Sequence, residues 1–194
     1  MNIIGLTGGV GSGKTKVLNF FRSKKIPCYE SDKRAKYLVD HNVKLSKSIK
    51  SIFGSNVYNE NGLDRKAIAG IVFKNKDLLM LLNEAVHPFV RNDFEKFVLN
   101  QKSNLIIKES AILFELGIQK KFNKIILLIS PTDIRINRII KRDNTSKKEV
   151  LNIINNQWPD KKKIPLADYV IRNLDWDDTL MKLEKVYSKI IDLV

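Results

Sequence analysis

The chain has one cysteine and two histidines in 194 residues. A single cysteine excludes an internal disulfide framework and a cysteine-rich zinc site, and two histidines leave too few donors for a dedicated transition-metal centre. Aromatic residues make up only 8%. Most fall on apolar helix faces, without the basic–aromatic interleaving that stacks single-stranded nucleic acid. No apolar run approaches the roughly 20 residues of a membrane helix. The longest candidate, 104–129, is broken by Lys108, Glu109, Glu115 and a lysine cluster. The first residues, MNIIGLTGG, lack a basic region ahead of their short apolar stretch, so no targeting segment is expected. These absences predict a globular, cytoplasmic protein with no membrane partner, long enough to bury a core without staples.

What is present in excess is positive charge. Thirty-five basic residues against 21 acidic ones give a formal charge of +14, and 27 of the 35 are lysine. Such an excess suits nucleic acid, an anionic surface or polyphosphate substrates, and equally a drift in composition toward lysine. It is uneven: residues 135–163 hold nine basic and three acidic side chains.

Five short apolar runs read as strands, at residues 3–6, 27–30, 105–108, 124–129 and 169–171, separated by helical patterns. Runs of this kind predict a five-stranded parallel sheet covered on both faces, a three-layer α/β/α core. About 75 residues with almost no strand pattern lie between the second and third runs, too many for one crossover helix. They predict a helical insertion, within which Asp64 caps a helix running to about residue 73. A long helix over 76–99 should kink or break at Pro88. Ser130-Pro131-x-Asp133 reads as a helix start, with Ser130 as cap and Pro131 at the first helical position. A final helix over about 177–193 buries Leu180, Leu183, Tyr187 and Ile190.

The strongest signal is Gly8-Gly9-Val10-Gly11-Ser12-Gly13-Lys14-Thr15, a full G-x-x-x-x-G-K-[ST] after an apolar strand and at the start of a helix. Glycines let successive amides turn inward around phosphate oxygens, and the helix N-terminus adds partial positive charge. Gly9, Gly11, Ser12, Gly13, Lys14, Thr15 and Lys16 are the expected ATP-binding residues, with Lys14 reaching the β- and γ-phosphates and the Thr15 hydroxyl placed for Mg²⁺.

The fourth run ends Ile129-Ser130-Pro131 rather than in a guanine-reading N-K-x-D, which argues against a GTPase switch. A small chain with an early phosphate loop, a helical insertion and a late basic segment fits a metabolite kinase. Asp32, just past the second strand, suits either a base for an acceptor hydroxyl or a cap for the next helix. Arg135, Arg138 and Arg142, spaced i, i+3, i+7, share one helix face and suit either a phosphate clamp or a solvated surface. Two other readings stay open: a kinase for another small alcohol or nucleotide, and a nucleic-acid-stimulated ATPase.

Taken together the residues resemble the dephospho-coenzyme A kinase family. The carriers are Gly5-Leu-Thr-Gly-Gly-Val-Gly-Ser-Gly-Lys14-Thr15, Glu30-Ser31-Asp32-x-x-Ala35, Leu63-Asp64-Arg65 and Leu82-Asn83-x-x-x-His87-Pro88. To these add Leu113-Phe114-Glu115, Arg138-x-x-x-Arg142-Asp143, Gln157 and Ala167-Asp168-Tyr169-Val170-Ile171-x-Asn173. The resemblance implies ATP-dependent phosphorylation of the ribose 3′-hydroxyl of dephospho-coenzyme A, the last step of coenzyme A synthesis. Mg²⁺ is the expected assisting ion, no nucleic-acid partner is expected, and a monomer or weak homo-oligomer is expected. It implies a nucleotide-binding core (1–32, 105–137 and 166–194), a coenzyme-A-binding insertion (33–104) and a lid (138–165). It implies catalytic roles for Lys14, Asp32 and Arg138, an ATP contact for Arg142, and acceptor contacts for Asp32, Arg65, His87, Leu113 and Glu115. Three departures stand out: Glu30 replaces the first acid of D-x-D, and Glu109-Ser110-Ala111 replaces Asp-x-Pro. Glu109 keeps a carboxylate where a contact to metal-bound water is expected, and Trp158 follows Gln157.

Overall fold

Every residue of β1 (Asn2–Thr7) from Ile4 onward is buried, because this strand is central and has a neighbour on each edge. A computed structural model of the chain describes residues 1–72 and 75–192. They fall into two compact units, Met1–Glu30 with Gln101–Val194, and Ser31–Asn100.

The first unit begins with β1, α1 (Lys14–Ser23) and β2 (Cys28–Glu30). It resumes with β5 (Leu105–Glu109), β6 (Lys124–Ile129), α6 (Thr132–Asp143), α7 (Lys147–Asn155), the single turn α8 (Asp160–Lys163), β7 (Tyr169–Arg172) and α9 (Trp176–Ile191). The five strands form one parallel sheet in the order β2-β5-β1-β6-β7. The five expected strands are those observed, each within a residue or so of its predicted ends.

Ile4, Leu6, Ile126 and Leu128 face one side with Val17, Leu18 and Phe21 of α1 and Leu183 and Ile190 of α9. Phe20 meets Phe21 and Tyr187 edge-on, at centroid distances of 5.2 and 6.1 Å. Burying each of these large side chains is worth about 1.5–3 kcal/mol, so α1 is clamped mainly by its apolar face. On the opposite side Ile125 packs with Leu113 and Phe114. Asp175 caps α9 by accepting from the amides of Asp177 and Asp178.

The second unit contains α2 (Ser31–His41), α3 (Val43–Phe53), β3 (Tyr58–Asn59), β4 (Gly62–Leu63), α4 (Arg65–Val72) and α5 (Lys76–Leu99). The small antiparallel hairpin β3–β4 was not expected; its strands are too short to leave a period-2 pattern. Asp64 caps α4 as expected, accepting from the amides of Lys66 and Ala67 at 3.0 Å. The predicted end of that helix at residue 73 and the last predicted residue of the C-terminal helix, 193, lie outside the described residues. Helix α5 runs through Pro88 without ending. Arg34 of α2 grips Asp93 of α5 with two bonds of 2.8 and 2.6 Å. Among the described residues no helix is long and apolar enough to cross a membrane.

Candidate active site

The register places Leu6 beside Glu109 and Glu30 beside Glu109. The carboxyl ends of β1, β2 and β5 therefore reach the same edge of the sheet, the edge outside which ligands bind in such folds. The glycine-rich loop leaves β1 there. Gly8 has φ +150, and a β-carbon on it would lie 2.2 Å from the Leu128 carbonyl oxygen. A backbone oxygen cannot swing aside, so Gly8→Ala should cost about 2–3 kcal/mol of stability, read as a lower urea midpoint at unchanged slope.

Gly13 takes the left-handed conformation (φ 102, ψ 18) as N-cap of α1, and no side chain caps that helix. The first amides of α1 are thus presented at its open end, where the helix dipole favours an anion. Lys14 Nζ donates to the Gly8 carbonyl at 2.9 Å and lies 3.6 Å from Glu109 Oε1, both side chains being nearly buried. Thr15 and Lys16 are exposed in the first turn, with Lys16 Nζ 5.1 Å from the Trp176 ring centroid. Two buried hydroxyls at the loop, Thr7 Oγ1 and Ser12 Oγ, have no hydrogen-bond partner among the described residues.

The arginine stripe does not act as a unit. Arg138 is turned to the loop, with Nη1 donating to Ser130 Oγ at 3.2 Å and to the Gly11 carbonyl at 3.5 Å, and Nη2 to the Asn173 carbonyl at 3.4 Å. Arg135 is buried and donates from Nε to the Val10 carbonyl at 2.8 Å. Arg142 is paired with its neighbour Asp143 by two 2.7 Å bonds, which further raise the affinity of its guanidinium for its proton. Ser130 is not the cap of α6: the helix starts at Thr132, and the hydroxyl donates instead to the Asn173 carbonyl at 2.7 Å. Asn173 is buried, and its Nδ2 donates to the Ser12 carbonyl at 2.7 Å. Sequence reasoning gave Asn173 and Gln157 no role although both stand in family motifs.

Leu113 and Glu115 both lie largely away from solvent. Leu113 is wholly buried, packed with Phe114 and Ile125. Glu115 Oε1 holds fully buried Lys163 Nζ at 2.8 Å and accepts from the Trp158 amide at 2.8 Å. The carboxylate serves a buried ion pair because Lys163 has no water to solvate it. Trp158 thereby finds its place, capped by Lys162 Nζ at 4.0 Å from its ring centroid. Glu30 is tied to Arg22 at 2.6 Å.

In the second unit, Asp32 lies inside the first turn of α2 rather than at its cap, and is exposed. Arg65 donates to Asp40 Oδ2 at 2.6 Å. Burial pushes the Asp40 carboxyl up, but the bonds from Arg65 and the Leu63 amide hold it below its ordinary value. His87 is half-buried in α5, and burial keeps its imidazole below the ordinary range.

A family model described as dephospho-CoA kinase matches residues 2–178. A dephospho-CoA kinase of Fusobacterium nucleatum is 37% identical over 185 residues, which span 94% of this chain and 95% of the relative. Among solved structures, a Thermus thermophilus protein aligns with a TM-score of 0.85 and 28% identity over 100% of this chain and 97% of its own. Dephospho-CoA kinase from Campylobacter jejuni aligns with a TM-score of 0.69 and 26% identity over 97% and 96%. With the phosphate loop, the parallel sheet and a family match over nearly its whole length, the chain belongs to the dephospho-CoA kinase family.

Proposed function

We propose that this kinase transfers the γ-phosphoryl group of ATP to the ribose 3′-hydroxyl of dephospho-coenzyme A, giving coenzyme A and ADP. The observation that carries the reading is the uncapped, glycine-turned N-terminus of α1 with Lys14 beside it, within a chain of this family. The backbone of Gly11 to Thr15 and the Ser12 hydroxyl receive the ATP phosphates, and Lys14 exchanges the Gly8 carbonyl for the β- and γ-oxygens. Asp32 accepts the proton of the 3′-hydroxyl as the new O–P bond forms and the bond to the departing ADP breaks. Arg138 releases its carbonyl contacts to neutralise charge on the transferring group.

The hydroxyl of Thr15 and the carboxylate of Glu109 are hard oxygen donors, which suit Mg²⁺ held mainly by phosphates and water. When bound, the ion supplies charge neutralisation at the β- and γ-oxygens. Residues 138–165 act as the lid, with Arg142 leaving Asp143 to meet ATP, and 33–104 receive the acceptor. There Arg65 is suited to a phosphate, while His87, neutral near pH 7, is suited to a hydrogen bond with adenine. The setting is the cytoplasm, with no nucleic acid or membrane partner, as a monomer or weak homo-oligomer.

The test is acceptor-dependent ADP formation from Mg²⁺-ATP by the purified protein. Dephospho-coenzyme A should stimulate it strongly, with coenzyme A as product, and nucleosides or small alcohols should not. Absence of stimulation at saturating dephospho-coenzyme A refutes the assignment.

A further inference from the structure

The phosphate loop contains one residue that is not glycine or part of G-K-T and whose every group is already engaged. The Val10 amide donates to Gln157 Oε1 at 2.9 Å. Its carbonyl accepts from Arg135 Nε at 2.8 Å. Its side chain packs against the cluster of Ile136, Ile139 and Val150 formed by α6 and α7. The guanidinium of Arg135 lies so close to Gly9 that a β-carbon there would sit 2.2 Å from Nη2. Arg135 is in turn 3.8 Å from Asp160, three residues beyond Gln157. Lys163, one turn further, is anchored on Glu115 and the Ala111 carbonyl.

An amide that donates to Gln157 cannot donate to a phosphate. The turn at Val10 is therefore held from outside the cradle, while the next bonded amide, that of Ser12, donates within the loop to the Gly9 carbonyl at 3.1 Å. We propose that Gln157 is a positioning residue for phosphoryl transfer. By fixing the Val10 peptide it keeps the phosphate loop in its receiving conformation, and it ties that conformation to the segment 157–163. The inference rests on the reading of the loop as the ATP phosphate site. Displacing a preset loop by a fraction of an ångström is costly because phosphoryl transfer depends on positioning.

The test uses the full chain and three variants. Gln157→Leu keeps the volume and removes the acceptor. Gln157→Glu keeps an acceptor oxygen at the same reach. Gln157→Asn keeps the amide but falls one methylene short, and serves if the leucine variant does not fold. ADP affinity is measured by calorimetry without acceptor, and KM for each substrate by steady-state kinetics. Gln157→Leu or Gln157→Asn should weaken ADP binding and raise KM for ATP about tenfold, the loss of roughly one hydrogen bond's worth of positioning. KM for dephospho-coenzyme A should stay within about twofold, and Gln157→Glu should recover most of the ATP-side loss.

Wild-type ADP affinity and KM for ATP in the leucine or asparagine variant overturn the proposal. Equal impairment of the leucine and glutamate variants overturns it too, because a merely structural side chain would not distinguish them by acceptor. The ADP arm needs no acceptor, so a failure of dephospho-coenzyme A to react leaves it decisive. A wild-type protein that does not bind ADP overturns both readings.

Discussion

Asp32→Asn should lower kcat by about 10²–10⁴-fold while ATP affinity stays near wild type, the range expected for loss of a general base. The substitution is nearly isosteric and keeps a hydrogen-bonding side chain at the same place, so it isolates the ability to accept a proton. Asp32 is exposed in the first turn of α2, which supplies a second role: a negative charge there interacts favourably with the helix N-terminus. That role is worth only about 0.3–1 kcal/mol of stability, and it predicts no change in kcat. Single-turnover measurement with saturating substrates separates the two. A kcat within twofold of wild type, with a slightly lowered unfolding midpoint, would leave Asp32 a helix-stabilising charge and move the base elsewhere.

Lys14→Met should reduce kcat/KM by about 10³-fold, the upper range for removing one preorganised donor and more than a neutral donor would give. The ammonium is held between the Gly8 carbonyl and Glu109, both close to the α1 N-terminus, so its charge is already in place when ATP arrives. Methionine fills the same volume but leaves the phosphate charge uncompensated and takes a cation away from nearly buried Glu109. Lys14→Arg should recover little, because a planar guanidinium does not reproduce a point charge at the end of a flexible stem. Steady-state kinetics with ATP varied checks both. A loss confined to KM would show that Lys14 binds ground state and transition state equally.

The +14 charge, which by itself suited nucleic acid as well as anything else, divides once side chains have neighbours. Of the basic groups in 135–163, Arg135 and Lys163 are buried in ion pairs, Arg138 faces the phosphate loop, and Arg142 is paired with Asp143. The three arginines read as one surface thus have three different occupations. Helical spacing shows which side chains lie on a common face; it does not show how deeply that face is covered at each turn.

Much was legible in order along the chain because its causes are local. The five strands follow from short apolar runs, the phosphate loop from glycines at fixed spacing before Lys14 and Thr15, and the Asp64 cap from one carboxylate three residues ahead of the Ala67 amide. The set of motifs also carried the family. What escaped depends on parts distant in sequence. Gln157 reaches Val10 across 147 residues, Asn173 reaches Ser12 across 161, and Ser130 leaves its expected cap for the Asn173 carbonyl. Leu113 and Glu115 stand in a family motif, and only the fold shows that the first packs with Phe114 and Ile125 and that the second pairs with Lys163. The sequence alone determined that a phosphate loop would form at the end of an apolar strand, because glycine conformation and apolar periodicity act within a few residues. Only the tertiary structure decided which polar side chains hold that loop in shape, because a buried donor or acceptor must take whatever partner the closed sheet brings within 3 Å.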